Sequence, residues 1–213
     1  MSSSSSSMIL PARTHAMTLG IFAFVVALLV MLSDRYIGPQ IDKQVHLDQV
    51  REITQVLPAS DYDNDPSRTP ETATLPNGQI IHYFLATKEG LPSAVILDAV
   101  AQGYSGDIHL LIAIDPKGTL TGVRVLSHQE TPGLGDKIEA DKSDWILQFK
   151  GLSLQNPPEE QWKVTKDGGH FASFTGATIT PRGVVKGIRQ SLEMFRQYHD
   201  LLLHPKEAKK DVH

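Results

Sequence analysis

The stretch QIIHYFLATKEGLPSAVILDAVAQGYSGDIHLLIAIDPKGTLTGVRVL, Gln79 to Leu126, decides the fold. It holds runs rich in β-branched and aromatic residues, broken by turn-forming clusters. The runs predict strands over Gln79–Ala86, Ser93–Val100, Asp107–Ile114 and Thr119–Leu126. Between them lie Lys88-Glu89-Gly90, Gly103-Tyr104-Ser105-Gly106 and Asp115-Pro116-Lys117-Gly118. Connectors this short leave no room for crossover helices, so the strands are predicted to form an antiparallel meander. Such a sheet holds the loops at its rim rigidly.

On the N-terminal side, Pro58 to Gly78 is rich in Asp, Pro, Asn, Ser and Thr and reads as a long polar loop. Before it, Ile41, Val45, Val50, Ile53 and Leu57 trace an approximate helical stripe over Gln40–Leu57. Earlier still, Ala16 to Leu32 is an uninterrupted run of 17 apolar or weakly polar residues. Extended by Tyr36 and Ile37, it predicts a membrane-spanning helix over residues 16–37. The run ends in Ser33-Asp34-Arg35-Tyr36, which lacks the small-residue cleavage site of a signal peptide, so the reading is an uncleaved anchor. Arg13 before the run and Arg35 and Lys43 after it do not set its orientation. The serine run Ser2–Ser7 and the charged end His204–His213 read as loose segments.

On the C-terminal side, Asp136–Phe149 is predicted to be helical, with Ile138, Trp145, Ile146 and Phe149 turned to the core. Trp162–Val164 reads as a further short strand closed by Gly168-Gly169. Beyond Val184, the residues Val185, Ile188, Leu192, Phe195 and Leu202 recur at steps near three and four, one buried helical face. The predicted class is α+β: one N-terminal transmembrane helix, then a curved antiparallel sheet with packed helices.

Composition narrows the chemistry. The chain has 213 residues and no cysteine, which excludes cysteine-ligated iron–sulfur clusters, c-type haem attachment and disulfides within it. A formal charge of −4, with both signs mixed through the soluble part, argues against nucleic-acid binding. The nine histidines show no metal-ligand spacing, and His128 alone stands beside a motif.

Two motifs remain. SFTGATIT, Ser173 to Thr180, places the hydroxyl of Thr178 among small residues, and Thr180-Pro181 reads as an N-cap followed by proline at the first helical position. Thr178 then precedes a helix N-terminus, where free N–H groups and the macrodipole favour a phosphate, with Arg182 and Lys186 adding charge. The same letters also fit a small-residue strand leading into a capped helix. SHQETPGLGDKI, Ser127 to Ile138, carries Pro132, Gly133 and Gly135 in a loop whose backbone can approach a flat ligand, with hydrogen-bonding groups on Glu130 and Thr131. It also fits a surface turn with Asp136 as the N-cap of the next helix.

Together with the GYSGDI turn at Gly103–Ile108 and the N-terminal apolar helix, these motifs resemble the G subunits of the Rnf ion-translocating electron-transport complexes. These subunits share an FMN-binding domain with the C subunit of the Na+-translocating NADH:quinone oxidoreductase, the sibling alternative. The resemblance implies FMN esterified through its phosphate to Thr178 by a flavin transferase, within the core Thr175-Gly176-Ala177-Thr178. It implies isoalloxazine contacts from Glu130, Thr131 and Leu134. It implies a single-pass protein of the bacterial inner membrane, working with integral-membrane and cytoplasmic subunits that exchange electrons between NADH and ferredoxin. The implied layout is a cytoplasmic N-terminus over residues 1–15, the span over 16–37, a connecting helix and loop over 38–78, a periplasmic FMN-binding domain over 79–204 and a tail over 205–213. The family's motif usually carries aspartate six residues before the modified threonine, where this chain has Ala172. An unmodified anchored scaffold is the contrasting expectation.

Overall fold

The computed structural model describes residues 9–205 apart from Asn77. Of the loose ends expected at Ser2–Ser7 and His204–His213, only His204 and Pro205 fall among them, and Pro205 is buried. The chain divides into two units, Met1–Leu47 and Asp48–His213. Helix α1 (Ile9–Val56) supplies the described part of the first. Within it, His15–Leu32 is long and apolar enough to cross a membrane, and its large side chains, Phe22 and Phe24 among them, are exposed.

The second unit is built on a five-stranded antiparallel sheet in the order β1-β2-β3-β4-β5. The strands are β1 (Pro70–Thr74), β2 (Ile80–Lys88), β3 (Leu91–Gln102), β4 (Asp107–Ile114) and β5 (Leu120–Ser127). The meander expected from the turns is present. β2 and β3 are joined through Glu89 at φ 53° and Gly90 at φ 79°, the paired left-handed geometry that suits the twist of a hairpin.

β1 corrects the sequence reading, which had a polar loop there. Its only apolar residue is Ala73, so no alternation announces it. It forms as an edge strand, with Thr72 opposite His82, and begins at Pro70, where a missing N–H costs little.

Both faces of the sheet are covered, which is why Ala94–Leu97 of β3 are buried without alternation. On one face the end of α1 places Ile53, Val56 and Leu57 against Ala86, Ala94, Ile96, Leu111 and Ala113. Gly122 permits this approach, since a Cβ there would meet the Val56 carbonyl oxygen at 2.5 Å. On the other face α2 (Ile179–Gln197) packs Val184, Val185, Ile188, Leu192 and Phe195 over Leu97, Ile108, Leu110 and Ile112. This is the face read from the periodicity, and Leu202 continues it from the short α3 (His199–Leu203). At Gly183 a Cβ would lie 1.9 Å from the Gln102 carbonyl oxygen, so the first turn of α2 rests directly on the end of β3.

Two further expectations are corrected. Asp136–Phe149 is not one helix but two 3-10 turns, Asp136–Ile138 and Asp144–Phe149. Ser143 separates them, its hydroxyl accepting the Trp145 N–H at 3.2 Å. Ile138, Ile146 and Phe149 still reach the core. Trp162–Val164 is not a strand, because a 3-10 turn (Glu159–Gln161) runs into it and only a single parallel bridge, Val164 to Phe171, follows. Aromatic packing replaces the ladder: Phe149 stacks on Phe171 at 4.8 Å, and Trp162 lies 5.0 Å from the same ring.

Candidate functional site

Three segments far apart in sequence meet at the N-terminal end of α2 and enclose a cleft of about 340 Å3. They are the turn between β3 and β4, the loop after β5 and the segment entering α2. A volume of this size suits a small organic ligand. Of the seven site residues read from the sequence, Glu130, Thr131, Leu134, Gly176, Ala177 and Thr178 line it. Thr175 is the exception, standing exposed at the outside of a tight turn. Tyr104, Gly135, Ile179 and Thr180 complete the wall.

The attachment segment is shaped by its glycine. The Ala177 N–H donates to the Phe174 carbonyl at 3.2 Å, closing a turn whose third residue, Gly176, sits at φ 83°. A Cβ on Gly176 would touch Leu134 at 3.4 Å, so the two motifs abut in the wall of the cleft. Ahead of this turn, the Trp145 indole N–H donates to the Ala172 carbonyl at 2.8 Å.

The helix start differs from the sequence reading. Thr178, not Thr180, holds the N-cap position of α2, and its hydroxyl makes no capping bond. Pro181 is still within the first turn, where no N–H is needed. The Thr178 hydroxyl oxygen accepts from the Lys166 ammonium at 2.7 Å. Arg182, expected to add charge here, instead donates twice to Asp167, at 2.6 and 2.8 Å. That pairing holds the Asp167 carboxyl below the usual carboxylate range.

Thr180 is wholly buried, and its hydroxyl donates to Glu130 Oε2. The other carboxylate oxygen accepts the Ser105 N–H at 2.8 Å. Glu130, 5% exposed, thereby ties the β3–β4 turn, the ETPGLG loop and α2 together. Gly103 and Gly135 make room for it, since a Cβ on either would come within 3 Å of its side chain. The Glu130 backbone N–H donates to His128 Nδ1 at 2.9 Å. His128 therefore carries its proton on Nε2 and donates it to Glu139, 2.7 Å away. His128 thus braces the loop from behind. Asp136, read as an N-cap, makes no capping bond; it is buried as the first residue of its 3-10 turn, after Gly135.

The brace gives a testable result. Thr180→Val removes the hydroxyl donor to a buried carboxylate and is expected to lower stability by about 1–3 kcal/mol. Thr180→Ser, which keeps the donor, is expected to lose less than half of that. Equal effects of the two changes on the thermal midpoint would show that the hydroxyl is not what matters. No local signal marked Thr180 as Glu130's partner, Ser105 as its N–H donor or Lys166 as the cation at Thr178.

The FMN-binding domain family matches residues 103–193, a range that contains every residue lining the cleft. The chain is 44% identical over 188 residues to the G subunit of the ion-translocating oxidoreductase complex of Cereibacter sphaeroides, covering 88% of this chain and 85% of that one. It is 39% identical over 202 residues to the protein of the same name from Vibrio cholerae, covering 92% and 95%. Among solved structures it is similar to NqrC of Shewanella oneidensis, with a TM-score of 0.49 and 24% identity over 68% of this chain and 72% of that one.

Proposed function

This chain belongs to the family of G subunits of ion-translocating oxidoreductase complexes, and from that premise we propose that its cleft holds FMN joined through the phosphate to Thr178. It is a flavoprotein subunit of a membrane oxidoreductase complex, and α1 supplies its apolar anchor. When bound, FMN supplies the capacity to take up and release electrons; the polypeptide positions it and shields it from side reactions.

The observation that carries the reading is the setting of Thr178. Its hydroxyl lines the cleft at the start of a 19-residue helix, is not spent on capping, and lies beside an ammonium group. The N–H groups of Ile179 and Thr180 have no intrahelical acceptor, and together with the macrodipole they suit a phosphate. Gly176 and Ala177 leave the hydroxyl approachable. Leu134 and Tyr104 offer apolar surface to a flat ring in the same cleft, and Thr131 lines it with them. Both Glu130 oxygens are engaged by the protein, so Glu130 shapes the wall and fixes the loop that carries Thr131 and Leu134.

In the proposed arrangement the second unit stands on the periplasmic side. A flavin transferase loads Thr178, and neighbouring subunits of the complex deliver and collect the electrons exchanged between NADH and ferredoxin. The attachment is tested by expressing the full chain with and without a flavin transferase, denaturing it, and reading flavin fluorescence in the gel band. A band that fluoresces only with the transferase is the expected result. A dark band in both cases would leave an unmodified anchored subunit.

A further inference from the structure

Lys166 sits on a turn that the fold fixes from several sides. Thr165–Asp167 forms one 3-10 turn ended by Gly168 at φ 78°. Its stem is held by Thr165 N–H to the Phe171 carbonyl at 2.7 Å and Gly169 N–H to the Val164 carbonyl at 3.0 Å. Val164 and Phe171 are fully buried, and a Cβ on Gly169 would meet the Lys163 carbonyl oxygen at 2.1 Å. The turn is also fastened to the first turn of α2 by the two bonds from Arg182 to Asp167. The fork of Arg182 thus satisfies Asp167 and leaves the neighbouring ammonium to Thr178. Among the described residues Lys166 has no carboxylate partner, and its one hydrogen bond is to Thr178 Oγ1.

Resting on the attachment reading above, we propose that Lys166 is part of the acceptor site, steadying Thr178 Oγ1 during modification and pairing with the phosphodiester afterwards. In the transfer, a bond forms between Thr178 Oγ1 and the phosphorus of FMN. The bond from that phosphorus to its leaving group breaks, as in a flavin dinucleotide that releases AMP. The hydroxyl proton passes to a base on the transferase, and no electrons change hands. An ammonium donating to Oγ1 does not compete for that proton. It stabilises the negative charge that grows on the oxygen as the proton leaves. Once the ester exists, the same ammonium is within reach of the charged phosphoryl oxygens, which also stand at the free N–H groups that begin α2. A compact point charge on a flexible stem can serve both geometries.

The test uses the full chain in detergent, a purified flavin transferase and flavin dinucleotide. Initial rates of fluorescent labelling are followed across pH for wild type, Lys166→Met and Lys166→Arg. Lys166→Met is expected to label at least about tenfold more slowly. Its rate profile should shift to higher pH, and its phosphorus resonance should move once labelled. Lys166→Arg is expected to recover most of the rate. Lys166 is exposed, so an unchanged thermal midpoint separates loss of charge from loss of fold. A Met variant labelling within twofold of wild type, with a superimposable phosphorus resonance, would overturn the assignment. So would an Arg variant as slow as the Met variant. A wild-type chain that takes no label overturns the attachment reading itself, a result distinct from either.

Discussion

Thr178→Ala is expected to abolish covalent flavin fluorescence in the denatured chain, while Thr175→Ala keeps most of it. Thr178 lines the cleft and presents its oxygen to Lys166 at the start of α2. Thr175 is exposed on the outer side of the Phe174–Ala177 turn and does not line the cleft. Losing a threonine from an N-cap position usually costs helix stability. Here the hydroxyl makes no capping bond, so the alanine variant should fold with a nearly unchanged melting curve. The loss of label would then belong to the chemistry. Complete and equal loss in both variants would make the assignment to one hydroxyl unsafe.

Phe171→Ala is expected to cost about 3–5 kcal/mol, the range for removing a buried aromatic ring. Phe171 is fully buried against both Phe149 and Trp162, and its backbone closes the turn that carries Lys166. A cavity at this point loosens both the aromatic cluster and the approach to Thr178. The thermal midpoint of the detergent-solubilised chain should fall by roughly 10 °C. Labelling should slow as well, although Phe171 lies outside the cleft lining. A shift of only a degree or two would show that the aromatic cluster is not what holds this segment.

The parts of the fold legible in the sequence are those whose signal is local. β2 to β5 are strongly apolar and joined by short turns, so hydrophobic pattern and connector length pointed the same way. The buried face of α2 followed from its spacing. β1 escaped because Pro70–Thr74 has one small apolar residue and gains its place only by pairing with β2. Asp136–Phe149 carries core residues at near-helical steps, but Ser143 claims a backbone N–H and splits it. Thr180 shows the limit most clearly. Thr-Pro is a fair capping signal, yet a carboxylate 50 residues away takes the hydroxyl, and the helix starts earlier. The cleft was legible as two motifs because each brings its own glycines. Lys166 was not, since nothing in Thr165-Lys166-Asp167 reveals that the turn folds back onto Thr178.

The central claim is the bond at Thr178, and mass spectrometry of the tryptic peptide Asp167–Arg182 tests it most directly. That peptide carries four alcohol side chains, Ser173, Thr175, Thr178 and Thr180. From the full chain expressed with a flavin transferase, it is expected to be heavier by FMN less one water, with fragment ions placing the added mass on Thr178. An unmodified peptide, or the added mass on any of the other three, would contradict the account.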